Sequence, residues 1–159
     1  MIISIKHAVT ESDWQQVKNR LHELLAFEKA LRPQRKDPDS TINGAFRYVR
    51  ENIAQHQGTC LVAVNEEGIV LGFMTGWVDG GDGLDKHSRT GAISDAYVAP
   101  PYRNRSLFKG MLAEMARHFA VIGGLQRLTL DTLGTNRNMQ TVLSRSGFSQ
   151  HKIYYEISL

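Results

Sequence analysis

Apolar residues along this chain switch between a period of two and a period near 3.6, and the switches mark its elements. Residues 2–6, IISIK, alternate and predict a first strand. Thr10 or Ser12 stands as an N-cap ahead of Trp14, Val17, Leu21, Leu24 and Leu25, which share one helix face. Pro33 and Pro38 bracket a polar break, and a second helix presents Phe46, Val49 and Ile53. Residues 60–65 and 69–78 predict a hairpin turning at Glu66, Glu67 and Gly68. A glycine-rich loop, DGGDGLDKHSRTG, leads to a strand at 92–98 that Pro100 and Pro101 end. A third helix is predicted over 105–122, with Leu107, Met111, Met115 and Phe119 on its buried stripe and Gly123–Gly124 as its stop. A strand at 126–131 follows, then a helix capped by Thr135 or Asn136 that carries Met139, Val142 and Leu143. Gly147 ends that helix, and residues 148–159 predict a last strand in which one of Tyr154 and Tyr155 is core.

The order β-α-α-β-β-β-α-β-α-β specifies an α/β protein with one mixed sheet and helices on both faces. The fourth and fifth strands flank a helix, so they should run parallel. A length of 159 residues suits a single domain over 1–159. No apolar run reaches the roughly 20 residues that span a bilayer. The first residues are too polar for a signal-peptide core. Cys60, the one cysteine, excludes an internal disulfide. A cytoplasmic address without a membrane partner is therefore expected.

The charge of +3 alters this picture little, because the basic residues are scattered rather than gathered on one element as in a nucleic-acid binder. Arg32, Arg35 and Lys36 read as a solvated loop. The six histidines form no metal-ligand spacing, and the loop at 79–85 lacks the alternating ligands and distal Glu of a calcium loop, so no metal is expected. That loop reads instead as a flexible rim over an acceptor site. No Walker or dinucleotide glycine pattern occurs.

The informative stretch is 93–112, ISDAYVAPPYRNRSLFKGML: a strand, a proline-marked turn, then directly a helix. The free N–H groups and dipole of a helix start bind anions. Arg103, Arg105 and Lys109 surround this one, which points to a phosphate or pyrophosphate. Solvated surface is the bland alternative for the two arginines. Strand alternation places Asp95 and Tyr97 on one face, and Ser94, Ala96 and Val98 on the other.

These residues resemble the GNAT superfamily of N-acetyltransferases. Its pattern is a strand ending in Val, a turn with Pro and Tyr, then Arg/Gln-x-x-Gly-x-Gly/Ala opening a helix. Val98, Pro100, Tyr102 and Arg103 match in place and spacing. Asp95, three before Val98, looks like many members. A second match is Asn136, eleven residues before Gly147-Phe148. Ser106 and Phe108 depart from the two glycines, and Leu143 stands where a tyrosine often protonates the leaving thiolate. The resemblance covers residue 60 onward in motif and the first 59 only in element order.

The resemblance implies a GNAT-like sheet whose strands 4 and 5 splay, with acetyl-coenzyme A as cosubstrate and its pantetheine arm lying in the gap. By that implication backbone groups of Ala96 and Val98 bind the arm, with Val98 N–H near the thioester oxygen. Arg103, Asn104, Arg105, Ser106, Leu107, Phe108 and Lys109 hold the pyrophosphate. Asn136 caps its helix and touches the arm. Asp95 meets the amine, directly or through a water, or only holds a loop; Ala92, at the family's other base position, cannot serve. The implied activity is acetyl transfer to an amine, on a small molecule or a protein, by direct attack on the thioester. A non-catalytic coenzyme A-binding or sensing module is the alternative. The implied partner is the amine-bearing acceptor, and a homodimer is left open.

Overall fold

The computed structural model describes residues 1–103 and 105–159. The chain opens with β1 (Ile3–His7), α1 (Glu11–Leu31) and α2 (Pro38–Gln55). The strands β2 (Thr59–Asn65), β3 (Val70–Asp79) and β4 (Thr90–Val98) follow. A short 3₁₀ turn at Pro100–Tyr102 leads to α3 (Leu107–Ala120), β5 (Leu128–Leu130) and α4 (Arg137–Arg145). The sheet order is β1-β2-β3-β4-β5, antiparallel except for the parallel β4–β5 pair. Among the described residues no helix is long and apolar enough to cross a membrane.

Alternation along β2 divides the core. Cys60, Val62 and Val64 pack with Trp14, Val17, Leu21 and Leu24 of α1. Leu61 and Ala63 pack on the opposite face with Leu107, Met111, Met115 and Phe119 of α3. The four-residue spacing read from the sequence is thus the buried stripe of α3. Burying each such side chain is worth about 1.5–3 kcal/mol. At Gly91 an added Cβ would meet the Phe119 ring at 2.6 Å, so α3 lies close on the start of β4.

Helix α1 starts with a capping box. Thr10 Oγ1 accepts from Asp13 N–H at 3.1 Å, and the Asp13 carboxylate accepts from Thr10 N–H at 3.0 Å. Asp13 also takes an ion pair from Lys6 at 2.7 Å, which ties α1 to β1.

Residues 148–159 depart from expectation, for they form no strand. Tyr154 and Tyr155 are both exposed, at 78% and 84%, so neither is core. An extended segment becomes a strand only by sharing a hydrogen-bond ladder, and here Glu156 is drawn into an ion pair with Arg32 at 2.8 Å.

Candidate active site

Two irregularities of β4 build the site. The first is a bulge: Thr75 lies opposite Asp95 and Gly76 opposite Ile93, leaving Ser94 as the extra residue. Without it Ile93 and Asp95 would share a face. With it Ile93 packs beneath α3, while Asp95 turns to the α1 side and meets Thr75. The second irregularity is early loss of the β5 partner. The two strands pair only from Gly91–Leu128 to Ile93–Leu130, and β5 then ends.

The rest of β4 therefore has one free edge. Ala99 N–H donates to the Leu71 carbonyl on the β3 side at 2.9 Å. Strand alternation then turns the N–H groups of Val98 and Ala96 the other way, into the gap. A cleft of about 640 Å³ occupies that gap, a volume suited to a sizeable small molecule. On the α1 face it is bounded by Leu24, Phe27 and Glu28. On the other it reaches Ser106, Lys109 and Asn136. Helix α4 buries no residue, and its Met139 and Val142 face this cleft.

Asp95 stands at the crossing. Thr75 Oγ1 donates to its Oδ2 at 3.0 Å. Burial pushes the Asp95 carboxyl up from the ordinary carboxylate range, and hydrogen bonds from Ser94 and Thr75 counter only part of that. Glu28 lines the same cleft. Burial pushes it up as well, the nearby Asp95 charge adds to this, and Arg35, at 3.2 Å, works the other way.

The expected anion-binding residues are distributed unevenly. Ser106, Leu107, Phe108 and Lys109 border the cleft at the start of α3. Leu107 is core, so only its backbone faces outward, and Phe108 is half-buried against the α3-side cluster. Arg103 lines the cleft, but its Nε donates to the Val98 carbonyl at 2.9 Å and its guanidinium lies 5.6 Å from the Phe27 and Tyr97 rings. Arg105 does not border the cleft; it lies over the Tyr102 ring at 5.9 Å. Asn104 falls outside the described residues. Asn136 Oδ1 accepts from Met139 N–H at 3.2 Å, capping α4 beside the cleft. Leu143 does not border it. Among the described residues no three His, Cys, Asp or Glu side chains gather as metal ligands.

Sequence reasoning did not single out Phe27, Glu28 or Thr75. The signal for Glu28 was available: it follows Leu21 and Leu24 on the buried stripe of α1, where a carboxylate is out of place without a task.

A parallel pair that separates halfway, with a cleft running between it and a helix start, can be compared with known proteins. The profile of the acetyltransferase (GNAT) family matches residues 19–148. The chain belongs to that family. Members of this family transfer acetyl from acetyl-coenzyme A, and this GNAT chain is an N-acetyltransferase. No sequence match was found among curated proteins.

Solved structures share the fold over the whole GNAT chain. AAC(6')-Iy, solved with the bisubstrate analogue CoA-S-monomethyl-acetylneamine, is 20% identical with TM-score 0.69, over 100% of both chains. An acetyltransferase from Pyrococcus furiosus is 16% identical with TM-score 0.75, covering 99% of this chain and 100% of that one. An acetyltransferase from Clostridium acetobutylicum, solved with acetyl-CoA, is 15% identical with TM-score 0.72, covering 99% and 96%.

Proposed function

We propose that this protein acetylates an amine that enters from the α1 face, with acetyl-coenzyme A in the β4–β5 gap and Asp95 taking the amine proton. The observation that carries this reading is the placement of Asp95. The bulge at Ser94 aims its carboxyl toward α1, beside backbone N–H groups that open into the gap.

The chain's groups divide the work. Ala96 and Val98 offer the strand edge that a pantetheine arm would pair with, and Met139 and Val142 offer it an apolar wall. Backbone N–H groups at the start of α3, with Ser106 Oγ and Lys109, suit the pyrophosphate. Arg103 acts at one remove, holding the end of β4 through the Val98 carbonyl. An ammonium group must lose a proton before it can attack, and a half-buried carboxylate with a raised pKa is a better acceptor than an exposed one.

The free amine nitrogen then forms a bond to the thioester carbon. Val98 N–H donates to the developing oxyanion. The carbon–sulfur bond breaks, the thiolate leaves, and the nitrogen's remaining extra proton passes to water, since Asp95 already holds the first and returns it to solvent after the product departs. Leu143 has no proton to give, so solvent supplies the proton the thiolate takes up. The buried single cysteine and this donor support a cytoplasmic enzyme.

The test is thiol release from acetyl-coenzyme A with a panel of small amines and amine-bearing peptides, alongside a thermal shift with the cosubstrate. The reading expects stabilisation by acetyl-coenzyme A and amine-dependent thiol release. Stabilisation without release for any amine would favour a coenzyme A-binding module, and neither response would end the proposal.

A further inference from the structure

Glu28 has no part in the reaction derived above, yet it lines the same cleft as Asp95. It follows Leu24 by one helical turn, with Phe27 beside it, so α1 offers the cleft two apolar side chains and a carboxylate. Strand β4 offers the other carboxylate. Burial, and then the Asp95 charge, hold the Glu28 carboxyl above the ordinary range, with Arg35 working against them. The cations nearby are already engaged. Arg35 meets Glu28 Oε2 at 3.2 Å, and Oε1 accepts no hydrogen bond among the described residues. Arg103 donates to the Val98 carbonyl at 2.9 Å and lies 5.6 Å from the Phe27 and Tyr97 rings. Arg20 holds Glu23 at 2.6 Å. A cleft with a carboxylate on each wall and its neighbouring cations engaged is complementary to a ligand that brings two nitrogens.

We propose that the acceptor is an alkyl diamine, and that Glu28 selects it by pairing with the second nitrogen. This inference rests on the acetylation reading above. One nitrogen gives a proton to Asp95, bonds to the thioester carbon as the carbon–sulfur bond breaks, and gives its last extra proton to water. The other stays an ammonium throughout and donates to Glu28 Oε1, while Leu24 and Phe27 cover the methylenes between. A monoamine leaves Glu28 Oε1 without a partner beside the Asp95 charge. After transfer the amide carries no charge, so product turned end for end has nothing to offer Glu28, and transfer stops at one acetyl group.

The test compares, by thiol release from acetyl-coenzyme A, a homologous series of α,ω-diamines with the amino alcohols of equal length, in which a hydroxyl of similar size replaces the second nitrogen. At the preferred length the diamine should have at least tenfold the kcat/KM of its amino alcohol, through a lower KM, as one charge-assisted hydrogen bond supplies. Mass spectrometry should show a monoacetyl product. Glu28→Gln, nearly unchanged in size, should erase the difference by raising the diamine KM, and the wild-type comparison stands on its own if that variant folds poorly. Equal kcat/KM for diamine and amino alcohol in the wild type would overturn the inference and leave the acetylation reading standing. So would a diamine preference that survives in folded Glu28→Gln. No thiol release with any amine would overturn both.

Discussion

Ser106 holds the first residue position before α3 in the left-handed region, at φ 60° and ψ 12°, and makes no side-chain capping hydrogen bond. This is one of the two places where the family pattern has glycine. A left-handed L-residue costs about 1–2 kcal/mol. Glycine removes that strain but adds unfolded-state entropy worth about 0.4–1 kcal/mol. Ser106→Gly should therefore stabilise the protein by about 0.5–1 kcal/mol, raising Tm by roughly 2–4 °C for each kcal/mol at this length. The carbonyl of residue 106 accepts from Gly110 N–H at 2.9 Å, a bond the change keeps. Urea unfolding of both proteins, without and with saturating acetyl-coenzyme A, reads the effect. The free protein should gain stability, while the ligand-induced gain should fall slightly from loss of the hydroxyl. A destabilised free variant would refute the strain argument, since nothing else in the local geometry opposes glycine.

Other perturbations bear on Asp13 and Thr75. Asp13→Asn removes the Lys6 ion pair and weakens the α1 cap, and should cost about 2 kcal/mol at neutral pH. Burial alone would raise the Asp13 carboxyl, but Lys6 and the N–H groups of Thr10 and Val9 hold it well below the usual range. Its contribution is present above the ordinary carboxylate pKa and lost as pH falls, so the two unfolding curves should converge in acid; a constant gap would contradict this. Thr75→Val deletes a hydroxyl that favours the Asp95 carboxylate. The acid limb of the kcat/KM profile should move to higher pH, and an unmoved or lowered limb would contradict the placement of Asp95 as base.

Most of the fold was legible because its elements bury one stripe or one face. The α3 stripe follows from spacing alone, the β2 strand from its β-branched apolar run, and Asn136 was one of the two caps read for α4. The bulge at Ser94 was not legible, because it is a property of how β4 pairs with β3 rather than of either strand. Glu28 and Phe27 reach the cleft only after α1 packs on the sheet, so no local pattern tied them to Asp95. Arg105 has the charge expected of a phosphate ligand, yet it turns to Tyr102, since side-chain direction at a helix start depends on the turn before it. The alternation at 148–159 was read as strand; pattern specifies a face, while a ladder also needs a partner within reach.

The direct measurement of the central claim is kcat/KM for Asp95→Asn against wild type, with the best amine acceptor, alongside the acetyl-coenzyme A Kd of each. The asparagine keeps an oxygen for the Thr75 hydroxyl at nearly unchanged size. It cannot take a proton. The account predicts a fall in kcat/KM of at least tenfold, about 1.4 kcal/mol of transition-state stabilisation, with Kd near the wild-type value. Folding stability should rise in the variant at neutral and alkaline pH, because the raised Asp95 pKa makes ionisation of the folded protein unfavourable there. Full turnover in Asp95→Asn, at unchanged cosubstrate affinity, would contradict the account and remove Asp95 from the reaction.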